Sequence, residues 1–326
     1  MSARRARAAT ASLALALLAT GPALAAEPPV AALAQDERRD LLIEGVAVHE
    51  GRWFVSAVAA RTIFRVEAGR LVPFLAADPA TGALFGLAVD APRGVLWAAE
   101  AWGAGLPGGS GEKRTGLLRI ALADGRVLGR YPAPAPAVTF GDVVVDPAGA
   151  VYASDSATGA VWVLAPGDAT PRRVGHPRGA TSAQGMVLCP LDAMVLSDYA
   201  TGLHRMDLGD GSTVPLASKT LKVAGLDALV RVGGRDSLDV VGTYNGDTPH
   251  RLLRLRISAD CRRLEAVETV IRGGPLRDVA LAAPGPGGLA VVTGSQWAGW
   301  TADGARNDAD PGPATVALVP LAPLNP

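Results

Sequence analysis

The strongest constraint on the fold is a repeat of about 47 residues along the chain. Its clearest copies run from Phe140 to Leu164 and from Gln184 to Met206. In each copy, an apolar strand, a turn and a second strand that ends in a small or acidic residue precede a Thr-Gly turn and a third strand. A unit of this size cannot bury its apolar faces alone, so the copies must pack against one another.

Weaker copies extend the repeat along most of the chain. The predicted inner strands start about 41 to 56 residues apart, as in four-stranded propeller blades. The six starts are Glu44, Phe85, Gly141, Gln184, Asp227 and Arg277. Short apolar runs bounded by Gly, Pro and Asp take the place of helical periodicity. The sequence therefore predicts an all-β, six-bladed β-propeller with a central channel, formed by residues 26–326 as one domain. The segment before Leu41 is expected to supply the outer strand of the last blade, and a solenoid or a β-sandwich is the alternative fold.

Composition agrees with many short strands joined by tight turns. The 326 residues include 39 Gly and 25 Pro, and both types favour turns. The 31 Lys and Arg residues balance the 31 Asp and Glu residues. A chain without net charge lacks the overall positive charge that attracts nucleic acids or anionic lipids, so neither is expected as a partner.

The first 25 residues have the features of a cleaved export signal. Three arginines precede residue 8, residues 13–19 form a short apolar run, and Ala23 and Ala25 are small residues of the kind that signal peptidase accepts. The apolar run is much shorter than the about 20 residues needed to cross a bilayer. We therefore expect residues 1–25 to be removed and the mature protein to be periplasmic or secreted without a membrane span; a retained N-terminal anchor is the alternative.

The two cysteines, Cys189 and Cys261, lie in turn-like segments of neighbouring repeats. A disulfide between them would persist in an exported protein. In a propeller, Cys189 would follow an inner strand and Cys261 would lie at a turn to an outer strand, at different distances from the channel. Because a disulfide needs Cα atoms within about 7 Å, this placement favours unpaired cysteines, with a disulfide as the alternative.

The starts of the inner strands are where a propeller presents side chains to its channel. Acids and an amide occupy most of these positions: Glu44, Asp142, Gln184, Asp227 and Asp278. Carboxylate and amide oxygens suit hard cations such as Ca²⁺ or Mg²⁺, although Asp142 is equally compatible with a turn. The four histidines show no zinc-ligand spacing. No Gly-x-Ser-x-Gly or Cys/His arrangement supports a nucleophilic enzyme.

These strand starts resemble those of the regucalcin/gluconolactonase (senescence marker protein) family, six-bladed propellers that bind a divalent metal and hydrolyse sugar lactones. Glu44 corresponds to the Glu that opens the first inner strand, and Gln184 in Ala-Gln-Gly-Met corresponds to an Asn in Ser-Asn-Gly-Leu. Asp227 in Leu-Asp-Ala-Leu resembles the Asp of Pro-Asp-Gly-Met. The sequence departs from the family at Gly141 and Thr139, where a sugar-contacting Asn and, in some members, an Arg stand.

The resemblance implies that Glu44, Gln184 and Asp227 bind the metal. Ca²⁺ is the expected ion, with Mg²⁺, Mn²⁺ or Zn²⁺ as alternatives. It also implies that Asp227, or Asp142 beside it, is the general base that deprotonates an attacking water.

Further residues are candidates for contact with a substrate. Asn245 lies in an Asn-Gly-x-x-Pro segment that resembles an exported bacterial branch of the same superfamily. Trp102 and Tyr199 are expected to form an apolar wall beside the substrate. Two long loops, residues 101–115 and 296–313, are expected on the same face of the propeller as the strand starts, where loops of this length are often functional.

The resulting hypothesis is a divalent-metal-dependent hydrolase of a lactone or ester with a small-molecule substrate. The alternative is a non-catalytic propeller that binds a ligand or a partner, because propellers support both roles. The hydrolase requires Glu44, Gln184 and Asp227 to converge on one point at about 2.3–2.6 Å, whereas a binding protein does not.

Overall fold

The structure is a computed structural model that describes residues 28–75, 78–134, 139–216, 218, 223–234 and 236–321. These residues form six sheets of four antiparallel strands. The inner strands of consecutive sheets pack side by side in a ring that closes between the last sheet and the first. The fold is a six-bladed β-propeller, as predicted. The predicted export signal, residues 1–25, lies outside the described residues.

Each blade runs from an inner strand at the channel to an outer strand at the rim. Blade 1 consists of β2 (Ile43–His49), β3 (Arg52–Ala57), β4 (Thr62–Glu67) and β5 (Arg70–Pro73). Blade 2 consists of β6 (Ala83–Asp90), β7 (Val95–Trp102), β8 (Arg114–Ala121) and β9 (Val127–Pro132). Blade 3 consists of β10 (Phe140–Val145), β11 (Val151–Asp155), β12 (Val161–Leu164) and β13 (Arg172–Gly175).

The second half of the ring has the same plan. Blade 4 consists of β14 (Ala183–Cys189), β15 (Ala193–Asp198), β16 (Gly202–Asp207) and β17 (Thr213–Pro215). Blade 5 consists of β18 (Leu226–Gly233), β19 (Ser237–Tyr244), β20 (Arg251–Ser258) and β21 (Leu264–Arg272). Blade 6 consists of β22 (Ala282–Gly285), β23 (Gly288–Gly294), β24 (Ala314–Val319) and, from the other end of the chain, β1 (Ala31–Asp36).

The pairing of β1 with β24 closes the ring. Ala31 lies opposite Leu318 and Asp36 opposite Ala314. The expectation that the segment before Leu41 forms the outer strand of the last blade is therefore confirmed.

The middle strands of the blades form the core. Every residue of β11 and β15 is buried, because each blade packs against a neighbour on both faces. Burial on both faces explains the continuous apolar runs in the sequence, because a strand with one solvent-exposed face would alternate apolar and polar residues. The described residues contain two 3-10 turns, Ala91–Arg93 and Trp297–Gly299, and among these residues no helix has the length and apolar character of a bilayer span.

The acids that end the second strands organise the turns that follow them. Asp198 Oδ1 accepts hydrogen bonds from Ala200 N at 2.9 Å and Thr201 N at 2.8 Å, and its Oδ2 accepts from Ser182 N at 2.7 Å. Asp155 caps the equivalent turn of blade 3 in the same way. Both acids are fully buried, so in blades 3 and 4 this Asp connects the second strand to the turns beside it.

The two cysteines form a disulfide, so the expectation of unpaired cysteines is wrong. Cys189 is the last residue of the inner strand β14 and Cys261 precedes the outer strand β21, at different distances from the channel as expected, yet their Cα atoms are 6.4 Å apart. Cys261 has a φ of 56° and is buried in the apolar cluster between blades 4 and 5, against which Cys189 also packs. The turn therefore directs Cys261 inward to the neighbouring blade, and the position along the blade did not predict this direction.

The start of blade 6 also differs from the prediction. Its inner strand begins at Ala282, five residues after the expected start at Arg277. The Arg277 side chain is exposed and donates to Pro313 O at 3.0 Å, outside the channel. Asp278 forms only an isolated bridge to Gly294.

Candidate functional site

β-Bulges at the starts of the inner strands create the candidate site. In blades 1 to 5 the pairing of the inner strand shifts register near its first residues. In three blades a hydroxyl of the second strand accepts the freed N–H: Gly45 N donates to Ser56 Oγ at 2.7 Å, Asp142 N to Ser154 Oγ at 2.9 Å and Ala228 N to Thr243 Oγ1 at 2.9 Å. A bulge re-aims the side chains beside it, and here Glu44 and Asp227 are the residues beside it.

Asp227 is at the centre of a hydrogen-bonded group. Tyr199 Oη lies 3.1 Å from Asp227 Oδ1, and Asn245 Nδ2 donates to Asp227 Oδ2 at 3.0 Å. Asn245 also donates to Val279 O at 3.1 Å and accepts from Tyr199 Oη at 2.6 Å. Three residues that the sequence predicted separately, from blades 4 and 5, are thus in direct contact.

Burial and charge set the protonation of this group. Burial raises the pKa of Asp227 to about 6, while the hydrogen bonds from Tyr199 and Asn245 oppose the shift and the charge of Asp278 adds to it. Burial and the charge of Asp227 raise the pKa of the Tyr199 hydroxyl far above its usual value. Tyr199 therefore stays protonated, and its single proton is shared between Asp227 and Asn245.

Glu44 is held by a tryptophan that sequence analysis did not assign to the site. Trp297 Nε1 donates to Glu44 Oε2 at 2.7 Å. Burial raises the pKa of Glu44 well above its usual value, and the charges of Asp227, Asp278 and Asp142 raise it further, whereas the indole hydrogen bond lowers it.

Gln296 fixes the position of Trp297. Gln296 is fully buried and has a φ of 84°, unusual for a residue with a side chain. Its Oε1 accepts from Leu41 N at 3.1 Å and Leu42 N at 3.0 Å, and its Nε2 donates to Arg38 O at 2.7 Å and to Gly312 O at 3.0 Å. In the sequence, only the length of the loop 296–313 indicated that this segment could contribute to the site.

Asp142 lies in a strand and not in a turn. Burial raises its pKa to about 7, the charge of Asp227 adds to the shift, and the N–H of Val143 opposes it. A Cβ atom at Gly86 would lie 2.7 Å from Asp142 Oδ1, so the glycine provides the space for this carboxyl group. Asp227 acts on Asp142 through its charge; no hydrogen bond joins the two in the described structure.

The acids form a set without a basic partner. Glu44, Asp142, Asp227 and Asp278 come from blades 1, 3, 5 and the start of blade 6 and act on one another electrostatically. None of the ion pairs among the described residues involves any of them. We refer to these four residues as the acid ring, and to their end of the channel as the upper end.

Two predicted residues are not joined to this group by a described contact. Gln184 Nε2 donates to Ser182 Oγ at 2.7 Å, which leaves its Oε1 as an acceptor. Trp102 Nε1 donates to Ala80 O at 3.2 Å, and the Arg114 guanidinium lies 5.7 Å from the centre of its ring. In the described part of the chain, no cluster of three or more His, Cys, Asp or Glu side chains is arranged to hold a metal ion.

The two long loops meet above the propeller. A Cβ atom at Gly304, in the loop 296–313, would lie 2.5 Å from Leu106 O in the loop 101–115. Trp297 and Trp300 of the one loop and Leu106 of the other pack against the same apolar cluster. The loops therefore cover part of the upper end together, and Trp297 connects this cover to Glu44.

Comparisons with known proteins agree on the architecture. No protein-family profile and no curated protein sequence matches the chain. Among solved structures, a gluconolactonase from Xanthomonas campestris is similar with a TM-score of 0.58 at 17% identity, over 92% of this chain and 94% of that one. A PQQ-bound aldose sugar dehydrogenase from Streptomyces coelicolor has a TM-score of 0.57 at 15% identity, over 90% and 99%.

A virginiamycin B lyase from Staphylococcus aureus is also similar, with a TM-score of 0.55 at 12% identity, over 91% of this chain and 100% of that one. The three proteins carry the names of three different reactions. At these identities the similarity establishes the β-propeller fold of the chain, and its chemistry depends on its own channel residues.

Proposed function

We propose that the upper end of the channel is the active site of a divalent-metal-dependent hydrolase that acts on a lactone or ester. The observation that carries the proposal is the acid ring, in which four carboxyl groups from different parts of the ring act on one another electrostatically without a basic partner. Carboxylates held together out of water repel one another, and protons or a cation must offset the repulsion.

The donor set suits a hard cation. Glu44 Oε1 is available because Oε2 faces Trp297, and the carboxylate oxygens of Asp227 each keep a lone pair beside their hydrogen bonds. If Glu44 and Asp227 supply two carboxylate ligands, further ligands would come from amide oxygens such as Gln184 Oε1. Ca²⁺ fits best, because it accepts irregular sets of about six to eight oxygen ligands.

The chain's own residues support general-base hydrolysis. A cation held by Glu44 and Asp227 would supply Lewis-acid polarisation of the substrate carbonyl. With a pKa of about 6, Asp227 is mostly ionised at neutral pH and can take a proton from a water molecule. Tyr199 and Asn245 fix the orientation of its carboxylate, and the loops over the upper end limit access of bulk water.

Hydrolysis assays test the proposal. Purified protein is stripped with EDTA, resupplied with Ca²⁺, Mg²⁺, Mn²⁺ or Zn²⁺, and offered p-nitrophenyl esters and γ- and δ-lactones. We expect turnover that requires the cation and that falls by about 10²- to 10⁴-fold in Asp227→Asn. The matched control is Asp124→Asn, which changes an exposed acid in the turn between β8 and β9. Turnover that survives both EDTA and Asp227→Asn contradicts the proposal.

The closed hydrogen bonding of Asp227 favours one second candidate, a propeller that binds its ligand without turnover. Both Asp227 oxygens already accept hydrogen bonds from Tyr199 and Asn245, which is the arrangement of a fixed binding group. Specific cation or ligand binding without hydrolysis of any ester or lactone would support this alternative.

A further inference from the structure

The lower end of the channel, where the inner strands end, has a chemistry unlike that of the acid ring. A cavity of about 450 Å³ opens there, which we call the lower funnel. Each inner strand contributes aliphatic walls: Val48, Val89, Val145, Leu188, Val230 and Ala283. The volume and the apolar walls are those of a typical small-molecule site.

A single carboxyl group marks the inner end of the lower funnel. Because the inner strands run from the acid ring to the lower end, the first lining residue of each strand lies nearest the ring, and in blade 3 this residue is Asp142. The charges of Asp227 and Glu44 lie beyond it and couple to it electrostatically. The inner end of the funnel is therefore negative.

The basic side chain in the lining lies at the other end. Arg231 follows the buried part of β18 and is exposed. Its guanidinium approaches Gly233 O at 3.5 Å and Gly234 O at 3.4 Å, at the end of β18. None of the ion pairs among the described residues joins Arg231 to Asp142, so the lower funnel has aliphatic walls and an acidic inner end.

We propose that the lower funnel binds an organic ammonium ion, with its apolar body against the aliphatic walls and its N–H groups donating to Asp142. A hard metal ion would leave the walls uncovered, and a carboxylate would be repelled by the acids. A neutral ligand would bury the carboxylate without neutralising it, which costs free energy. The funnel opens at the end of the channel opposite the acid ring and shares Asp142 with it, and its test requires neither a metal ion nor turnover.

Matched ligands test the charge requirement. We use 4-phenylbutylamine, with 4-phenylbutanol and 4-phenylbutyrate as neutral and anionic counterparts, in isothermal titration calorimetry at pH 8. EDTA is present throughout, so failure of the metal-dependent proposal leaves this result unaffected. We expect the amine to bind at least about tenfold more tightly than the alcohol, because a charge-assisted hydrogen bond is stronger than a neutral one, and we expect no binding of the butyrate.

Two variants assign the binding to the funnel. Asp142→Asn is expected to reduce the preference for the amine over the alcohol to less than about twofold. Ala88→Phe places a large ring in the funnel wall, at a lining position of β6, and is expected to weaken binding of both ligands at least about tenfold. Asp124→Asn serves as the control for a lost acid elsewhere, and cooperative melting shows that each variant is folded.

Several outcomes would overturn the proposal. They are the absence of saturable amine binding to wild type, equal affinities for amine and alcohol, or a preference for the amine that persists in Asp142→Asn. Amine binding that Ala88→Phe does not weaken would place the ligand elsewhere on the protein.

Discussion

The upper and lower ends of the channel are built from the same six inner strands and yet have opposite chemistry. At the upper end, bulges interrupt the pairing in five blades, and acids and amides fill the channel. At the lower end the walls are aliphatic, and the pairing of the inner strand shows no shift in five blades, whereas in blade 5 it shifts between Arg231 and Gly233. The comparison teaches that in this propeller the bulges at the strand starts create the polar site, because a bulge re-aims the side chains beside it.

An acid placed in the wall of the lower funnel should have the largest effect on stability. Val230 lines the lower funnel and is 7% exposed, whereas Val214 on an outer strand is 45% exposed. We expect Val230→Asp to lower the free energy of unfolding by about 3–5 kcal/mol at pH 8, because its charge is buried without a partner, and Val214→Asp to change it by less than about 0.5 kcal/mol. Urea unfolding measures both. If both changes lowered the free energy of unfolding equally, the lower funnel would not be less tolerant of a charge than an exposed outer strand.

Removing the support of one bulge should have the next largest effect. Thr243 is fully buried and accepts the Ala228 N–H at 2.9 Å. Thr243→Val keeps the shape of the side chain but leaves this N–H unsatisfied, at an expected cost of about 1–3 kcal/mol in the free energy of unfolding. Thr213→Val on an outer strand is the control. A neutral Thr243→Val would show that the bulge does not depend on its hydroxyl partner.

The raised pKa of Asp142 predicts a dependence of stability on pH. Because the folded pKa of about 7 exceeds the ordinary value of 3.8, the protonated group stabilises the fold at low pH, and this contribution is lost as the pH rises to about 7. Between pH 5 and pH 7, EDTA-treated wild type should lose about 2 kcal/mol more unfolding free energy than Asp142→Asn. Parallel pH profiles of the two proteins would contradict a raised pKa.

The loss of the indole hydrogen bond should have the smallest effect. Trp297→Phe removes a donor that lowers the pKa of Glu44, so this pKa should rise further. Trp300→Phe is the control, because the buried Trp300 Nε1 has no hydrogen-bond partner in the described structure. Carboxyl-carbon NMR titration of Glu44 measures the shift. An equal response to both changes would mean that packing of the loop, and not the hydrogen bond, controls Glu44.

The sequence predicted the architecture well because the fold is encoded locally and repeatedly. The copies around Phe140 and Gln184 show the turns and apolar runs directly, and the N-terminal strand was expected from the missing partner of the last blade. The start of blade 6 was misplaced because Arg277 and Asp278 resemble a strand start, whereas in the structure Asp278 forms only an isolated bridge to Gly294. The disulfide was missed because the direction of Cys261 depends on a left-handed turn residue.

The candidate site was predicted in part. The positions of Glu44, Asp142 and Asp227 at strand starts predicted that they face the channel. Tyr199, Asp227 and Asn245 were proposed separately from the sequence, and in the structure Tyr199 contacts the other two. The role of Trp297 depends on how a long loop folds back on another blade, and no local pattern contains that information. The sequence also did not predict the opposite chemistry of the two ends. The bulges at the strand starts have no recognisable sequence pattern, because they lie within apolar runs.

The most direct test of the acid ring is the melting temperature of EDTA-treated protein at pH 8 with and without Ca²⁺. A cation that binds only the folded state at about 100 times its Kd should add about 2.7 kcal/mol and raise the melting temperature of wild type by about 5 °C. Glu44→Gln and Asp227→Asn should show little or no rise, while Asp124→Asn behaves as wild type. A wild-type protein that none of Ca²⁺, Mg²⁺, Mn²⁺ or Zn²⁺ stabilises, or an Asp227→Asn variant that responds as strongly as wild type, would contradict a cation site at the upper end of the channel.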